Sequence, residues 1–459
     1  MGNKSLKFKE ILAYSGVAFA MAIMMDPMPA IMFQFYVQHT EVSLAAVGTV
    51  LFFSRIIDAV TDPAIGYFSD NTRTKMGSRK PWLIVGGIVS VIGVYFFYNP
   101  SPDSGIVYFA VFCNLYYLCR TLLSIPHAAW GSEITRDYHE RARIGAWFGG
   151  LLLSAQLIFL ALPVLISSPL LPIFESAELL PEMVSLIGWV GISFIPLSIL
   201  FAIWVAPVGD SKNKGSSASN ASIIDNIRAT AHNKPFWLFL WAKSFGIIGG
   251  LIFFSVAIIA ISSYLHLGEQ VPLILLTLTL TQIISIYFWR LATGKFGKHQ
   301  AIIAGWYLQA LLLPLMFFIE PGESAFYPFL IIASLTSIAQ TPSIVFSSAV
   351  LSDVVDYDIL KTGVNRAGNY FALDAFILKS IGAFAGSIGF LLLAYYGFDP
   401  KITDNTEEAE FGLLITLCVI PSIFMFLAAT ILCFFPINER RHNIIRRKLE
   451  LRSKRQASA

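Results

Sequence analysis

Charge is what this sequence lacks. Of its 459 residues only 13% are Asp, Glu, Lys or Arg, against about 25% in soluble domains, too few to cover a water-soluble body of this length. Cysteine is scarce as well. Cys113, Cys119, Cys418 and Cys433 lie in apolar runs without C-x-x-C spacing, which argues against a disulfide or zinc framework and leaves small core residues. There is no P-loop, no nucleophile elbow and no His/Cys metal cluster, so neither catalysis, ATP use nor a bound cofactor is expected. The first apolar run is too long for the core of a cleavable signal and carries Met and Pro, so no removal of a signal peptide is expected. Nucleic acid is not an expected partner, and the chain is read as a monomer.

What is present is apolar: 56% of the residues are hydrophobic, in long uninterrupted runs. "AIIAGWYLQALLLPLMFFI" and "FGLLITLCVIPSIFMFLAATILCFF" can each cross a bilayer, which takes about 20 apolar residues. Lipid cannot satisfy backbone polar groups, so these runs must be helices. The criterion predicts about twelve spans, near 11–36, 43–66, 82–99, 106–130, 144–167, 185–207, 236–263, 271–291, 300–319, 325–349, 368–396 and 411–436. The connecting loops alternate in charge. One set carries Lys4, Lys7 and Lys9, then Arg73, Lys75, Arg79 and Lys80, then Arg136, Arg141 and Arg143, and ends in a tail with eight basic residues from Arg440 to Arg455. The other set carries Asp103, Glu175, Glu178, Glu182, Glu320, Glu323 and Asp404, with Lys401 as its one basic residue. The positive-inside rule then places both termini in the cytoplasm, which demands an even number of spans.

A Ser/Asn/Lys-rich stretch, 208–234, separates six spans (1–207) from six more (235–436), and 437–459 is a basic tail. "GYFSDNTRTKMGSRK" after span two is echoed by "WRLATGKFGKHQ" after span eight. Either the halves are duplicated, or Gly and Lys recur because tight basic loops favour them. Two six-span halves with a site between them describe the major facilitator architecture. The expected fold is therefore an all-α membrane protein of twelve transmembrane helices in two six-helix halves.

Charges inside spans cost about 2.5–3.5 kcal/mol each at mid-bilayer and so mark function. Asp58 and Asp62 stand four residues apart, on one helix face. Such a pair repels in low dielectric unless a cation or proton joins it, and a charge that changes with occupancy can bias a conformational equilibrium. Carboxylates are suitable ligands for hard cations, so sodium at Asp58 and Asp62 is the one metal site considered. The alternative is neutralisation by Arg55 or Arg120. Lys379 lies midway in span eleven, either facing a central cavity or snorkelling; Asp374, five residues earlier, is poorly placed to pair with it within the helix. His127 either contacts substrate or protons or is a core histidine bonded to a backbone carbonyl. Asp26, in "MMDPMPA", either lines a broken helix or caps the segment starting at Pro27. Lys243, near a span end, is expected to snorkel. In the basic loop after span two, Asp70, Arg73, Arg79 and Lys80 suit gating ion pairs that hold the two halves together on the cytoplasmic side when the carrier faces out, or serve as a topology signal, and both can hold together.

Three stretches carry a family resemblance. "RIIDAVTDPAIGYFSDNTRTKMGSRKPW", "IPHAAWGSEITRDYHERARIGAW" and "LSDVVDYDILKTGVNRAGNYFALDAFILKS" resemble the signatures of the glycoside–pentoside–hexuronide:cation symporter family, and the likeness runs through most of the chain. It implies a major facilitator fold in a bacterial inner membrane, alternating access, and symport of a sugar-like solute with Na+, Li+ or H+. It puts the family's cation-site carboxylates on Asp58 and Asp62, its span-four hydroxyl on Thr121, and the lysine linking sugar and cation sites on Lys379. An Asn of the melibiose-carrying members is Thr61 here, which can still offer an oxygen. Their sugar-binding carboxylates align with Ala22 and Ser124, and a span-five arginine with Phe148. The ion half of the site is thus retained while the galactoside half is not. Melibiose is not the expected cargo, and Ser124, Asp26, His127, Trp130, Asp374 and Lys379 are the candidate substrate contacts. A carrier of an amphipathic solute such as a lysolipid is the alternative, and a non-transporting receptor on the same fold is a third reading.

Overall fold

The computed structural model describes residues 6–25, 28–135, 138–169, 171–209, 230, 233–364 and 366–457. Among the described residues there are helices and no strand, and eleven helices are long and apolar enough to cross a membrane. The sequence predicts twelve, and the difference lies in the first. The span expected at 11–36 is divided into α1 (Phe8–Ser15), α2 (Val17–Ala22) and α3 (Met28–His39), each too short alone. Asp26 falls between α2 and α3, outside the described residues. The break frees backbone carbonyls that lipid could not satisfy. Tyr98 and Tyr116 supply donors: both hydroxyls bond the carbonyl of Ile23, at 3.0 and 2.9 Å.

The other helices are α4 (Leu44–Asn71), α5 (Lys80–Tyr98), α6 (Ile106–Ile134), α7 (Tyr138–Ile166), α8 (Pro181–Val205), α9 (Lys234–Ile259), α10 (Val271–Phe296), α11 (Lys298–Leu312), α12 (Phe326–Thr362), α13 (Ala367–Tyr395), α14 (Glu407–Leu414), α15 (Ile420–Cys433) and α16 (Glu439–Ala457). A π turn, Ala260–Tyr264, extends α9, and another, Ile415–Val419, joins α14 to α15. Apolar length predicts the end of span ten near 349, yet α12 continues to Thr362. Hydropathy marks where lipid ends, whereas the helix stops at its C-cap. There Gly363 takes φ +76°, which glycine adopts without strain, and its N–H bonds the carbonyl of Ile359 at 2.9 Å.

The chain forms two compact units. The first contains Met1–Ser216, Ile261–Leu276 and Asp399–Asp404; the second contains Ser217–Ala260, Thr277–Phe398 and Asn405–Ala459. Within the first, α4 and α5 pack on α6, and α2 and α5 on α8. Gly191 of α8 lies so close to Ile23 that a side chain there would collide with it, the small-residue packing that membrane helices use. Gln38 at the end of α3 donates to Ser262 and Ser263 at 3.2 and 3.0 Å, and Lys401 donates to the carbonyl of Thr40. The core of the second unit holds Phe236, Phe239, Trp306, Val354, Tyr370 and Met425.

Candidate functional site

The outer face of α4 is apolar and exposed: Phe53, Ile56, Ile57, Val60, Tyr67 and Phe68. Its inner face carries Leu51, Ser54, Asp58, Ile65 and Ser69, all buried. The acidic pair rides on this inner face. Asp58 is 6% exposed and Asp62 half-buried. Arg55, one turn before Asp58, places Nη1 3.4 Å from Oδ2 of Asp58. The other terminal nitrogen of Arg55 donates to the hydroxyl of Tyr117 at 3.0 Å, and the guanidinium lies 4.3 Å from that ring's centroid. Thr121 of α6 donates its hydroxyl to Oδ1 of Asp62 at 2.9 Å.

Two residues of α6, four apart, thus meet α4: Thr121 at Asp62 and Tyr117 at Arg55. Arg55, weighed from sequence as a neutraliser, is bonded to Asp58. At 3.4 Å this contact is longer than a strong charge-assisted bond. Thr61, expected to offer an oxygen to the cation, turns its hydroxyl onto the backbone carbonyl of Asp58, at 3.5 Å. Tyr117 was not foreseen, although its spacing to Thr121 could have suggested it.

The substrate candidates separate. Ser124 is half-buried one turn beyond Thr121 on α6. His127 is 2% exposed; its Nε2 is 3.0 Å from the carbonyl of Tyr14, and its ring stacks on Tyr14 with centroids 4.1 Å apart. Phe148 packs on it as well, with ring centroids 4.9 Å apart. Of its two readings, His127 has the geometry of the bonded core residue. Trp130 is buried too, donating Nε1 to the carbonyl of Pro207 at 3.1 Å.

In the second unit, Lys243 does not snorkel as expected. It pairs with Asp374 at 2.9 Å, with side chains only 15% and 11% exposed. Hydropathy puts Lys243 near a span end, but the partner comes from α13, which sequence distance conceals. Lys379 is exposed on α13, five residues after Asp374.

The basic loop after α4 is built inward. Arg79 is 5% exposed. It reaches Asp70, the hydroxyl of Ser69 at 2.7 Å and Glu133 at 2.7 Å, joining the ends of α4, α5 and α6. Lys80 bonds the carbonyls of Ile203 and Ala206, both at 2.7 Å, neutralising the negative end of α8. Arg73 is exposed and bonds the carbonyls of Asp70 and Thr72 at 2.6 and 3.0 Å. Glu133 was not singled out from the sequence.

The second unit repeats the motif. Lys298, in the echo sequence, pairs with Asp353 of α12 at 2.7 Å. Arg79 and Glu133 are 54 residues apart, and Lys298 and Asp353 are 55. The echo in sequence is thus an echo of ion pairs. Among the described residues, no group of three His, Cys, Asp or Glu is placed to hold a metal ion.

The chain matches the family described as MFS/sugar transport protein over residues 12–439. It is 25% identical to the glucuronide carrier protein homolog of Escherichia coli (strain K12), covering 98% of this chain and 97% of that one. It is 24% identical to a putative glycoside/cation symporter of the same organism, covering 90% and 89%. It is 21% identical to the sodium-dependent lysophosphatidylcholine symporter 1 of Xenopus tropicalis, covering 88% and 82%. Among solved structures, the nucleoside transporter NupG superposes with a TM-score of 0.62 at 12% identity, over 94% of this chain and all of that one, a likeness of fold. With its apolar helices and this match, the chain is an integral, multi-pass membrane transporter, not an enzyme, and it belongs to the MFS/sugar transport protein family.

Proposed function

We propose that the protein is a cation-coupled symporter of a sugar, glycoside or related small solute, working by alternating access with both termini cytoplasmic. The observation that carries this reading is the Asp58–Asp62 face of α4 met by the Thr121 hydroxyl of α6. It is an oxygen-rich locus with two buried or half-buried carboxylates and one nearby guanidinium, suited to Na+, Li+ or H+. Cation binding removes repulsion within the pair. That raises solute affinity, and by reciprocity solute raises cation affinity by the same factor. Lys379 and Ser124 are proposed to contact the solute. Asp70, Arg73, Arg79 and Lys80 are proposed to act in gating by holding the ends of α4, α5, α6 and α8 as one rigid piece.

The test is thermal stability of the purified protein with hexuronates, glycosides, sugars and lysolipids, each with sodium, lithium or neither and at two pH values. Ligand binding raises stability by mass action. A solute whose shift is the same under every cation and pH condition would show that coupling is wrong. A lysolipid is the second reading, favoured by the amphibian relative and by the apolar Ala22 and Phe148. A shift with lysolipid and none with any sugar would select it.

A further inference from the structure

The last helix, α16 (Glu439–Ala457), follows the end of α15 at Cys433 after five residues, 434–438. So short a connection reaches at most about 20 Å, so α16 starts close to the end of a membrane-spanning helix. Asn438 caps it, its side chain accepting from the N–H of Arg441 at 3.0 Å. One face is docked on the second unit. Ile445 is 7% exposed in the core, and Leu449 packs against the same cluster. His442 sits 3.2 Å from both Asp353 and Asp356 of α12. These contacts fix the rotation of the helix about its axis.

The opposite face is then defined. Ile444 and Leu451 stand seven residues apart and are 55% and 53% exposed. Arg440 and Arg441 precede Ile444 by four and three residues, and Arg447 and Lys448 follow it by three and four. All four are exposed, and all four neighbour Ile444 on the helix surface. Arg447 and Lys448 flank Leu451 in the same way. Arg441 also donates to the carbonyl of Pro436 at 2.7 Å. Two aliphatic side chains ringed by long cationic ones form the pattern of a helix lying in a membrane interface, aliphatics toward the acyl boundary and cations at the phosphates.

We infer that this face of α16 docks on the anionic phospholipid surface of the bilayer that holds the protein. Charge complementarity selects the occupant. Four exposed cations and no exposed anion surround Ile444, a juxtamembrane basic cluster of the kind that anionic headgroups attract. The alternative, a soluble acidic protein, is an outcome of the test. The inference does not depend on which solute or cation is carried.

The test uses the full-length protein with Cys433→Ser and an environment-sensitive fluorophore on Ile444→Cys. It is reconstituted in vesicles of phosphatidylcholine alone or mixed with phosphatidylglycerol, and also kept in neutral detergent. Iodide reports exposure to water, and lipids carrying a nitroxide on the acyl chain report depth. In the mixed vesicles iodide quenching should fall by at least about fivefold, the effect of one basic contact near an anionic surface, and nitroxide quenching should appear. High salt should reverse both. The R440Q/R441Q/R447Q/K448Q variant should behave in mixed vesicles as the parent does in phosphatidylcholine. Glutamine is a good helix former at these exposed sites, and a second probe on Leu451→Cys checks that the helix persists. Equal iodide access in every condition would overturn the inference. So would equal protection in every condition, detergent included, which would mean that protein and not lipid covers this face.

Discussion

Replacing Asp58 by Asn tests the cation site most directly. A monovalent cation about 4 Å from a carboxylate gains roughly 4 kcal/mol at an effective dielectric constant near 20. Asp58 is 6% exposed, so water screens it little. Arg55 at 3.4 Å, with a side chain 26% exposed, already offsets part of that field, leaving about 2 kcal/mol as the lower bound. Asp58→Asn should therefore weaken cation affinity by between about thirtyfold and a thousandfold. Without cation, the variant should be no less stable than the parent. The repulsion removed between groups whose Cβ atoms are about 6 Å apart is roughly 3 kcal/mol, and Arg55 keeps its contacts with Tyr117. The assay is thermal unfolding in detergent across a sodium, lithium and pH series. A saturating cation, at about a hundred times its dissociation constant, contributes about 2.7 kcal/mol of stability in the parent, and at the same concentration that gain should fall to about 0.9 kcal/mol or less in the variant. Retention of the cation-dependent shift with less than a tenfold change in midpoint would refute the assignment.

Thr121→Val should remove a hydrogen bond to Asp62 that is worth about 1.5–3 kcal/mol to a charged acceptor and lower cation affinity, with Thr121→Ser retaining most of it; cation titration of both variants checks this. Arg79→Gln should destabilise the protein by about 3–5 kcal/mol, because Glu133 is left charged and buried, and joint replacement of Arg79 and Glu133 by apolar residues should cost less than that single change; thermal unfolding of the three proteins decides. Lys243→Met should behave likewise through Asp374, with Asp374→Leu restoring stability in the double variant. If the Lys243 and Asp374 effects simply add, the pair does not act as a unit.

Legibility divided along physical lines. Span positions were readable because lipid imposes a length and composition on any helix that crosses it. The acidic pair was readable because a charge in a span is costly and therefore conspicuous. The broken first helix was only half visible: the prolines of "MMDPMPA" marked an interruption, but not the tyrosine hydroxyls that bond Ile23. Lys243 was misread because its partner lies 131 residues away. The run of α12 past lipid to Gly363 was missed for a different reason, since hydropathy reports the membrane and not the helix.

The sequence by itself determined that the chain lives in a bilayer, that it is helical, and that Asp58 and Asp62 share a face, since each follows from local composition or from helical periodicity. Only the tertiary structure decided what those carboxylates meet. Thr121 of α6 approaches Asp62 and Tyr117 approaches Arg55, while elsewhere Glu133 closes on Arg79 and Asp374 on Lys243, because contacts between helices depend on packing angles and close approach that no local pattern encodes. Asp62 gains its Thr121 partner from a helix more than fifty residues downstream.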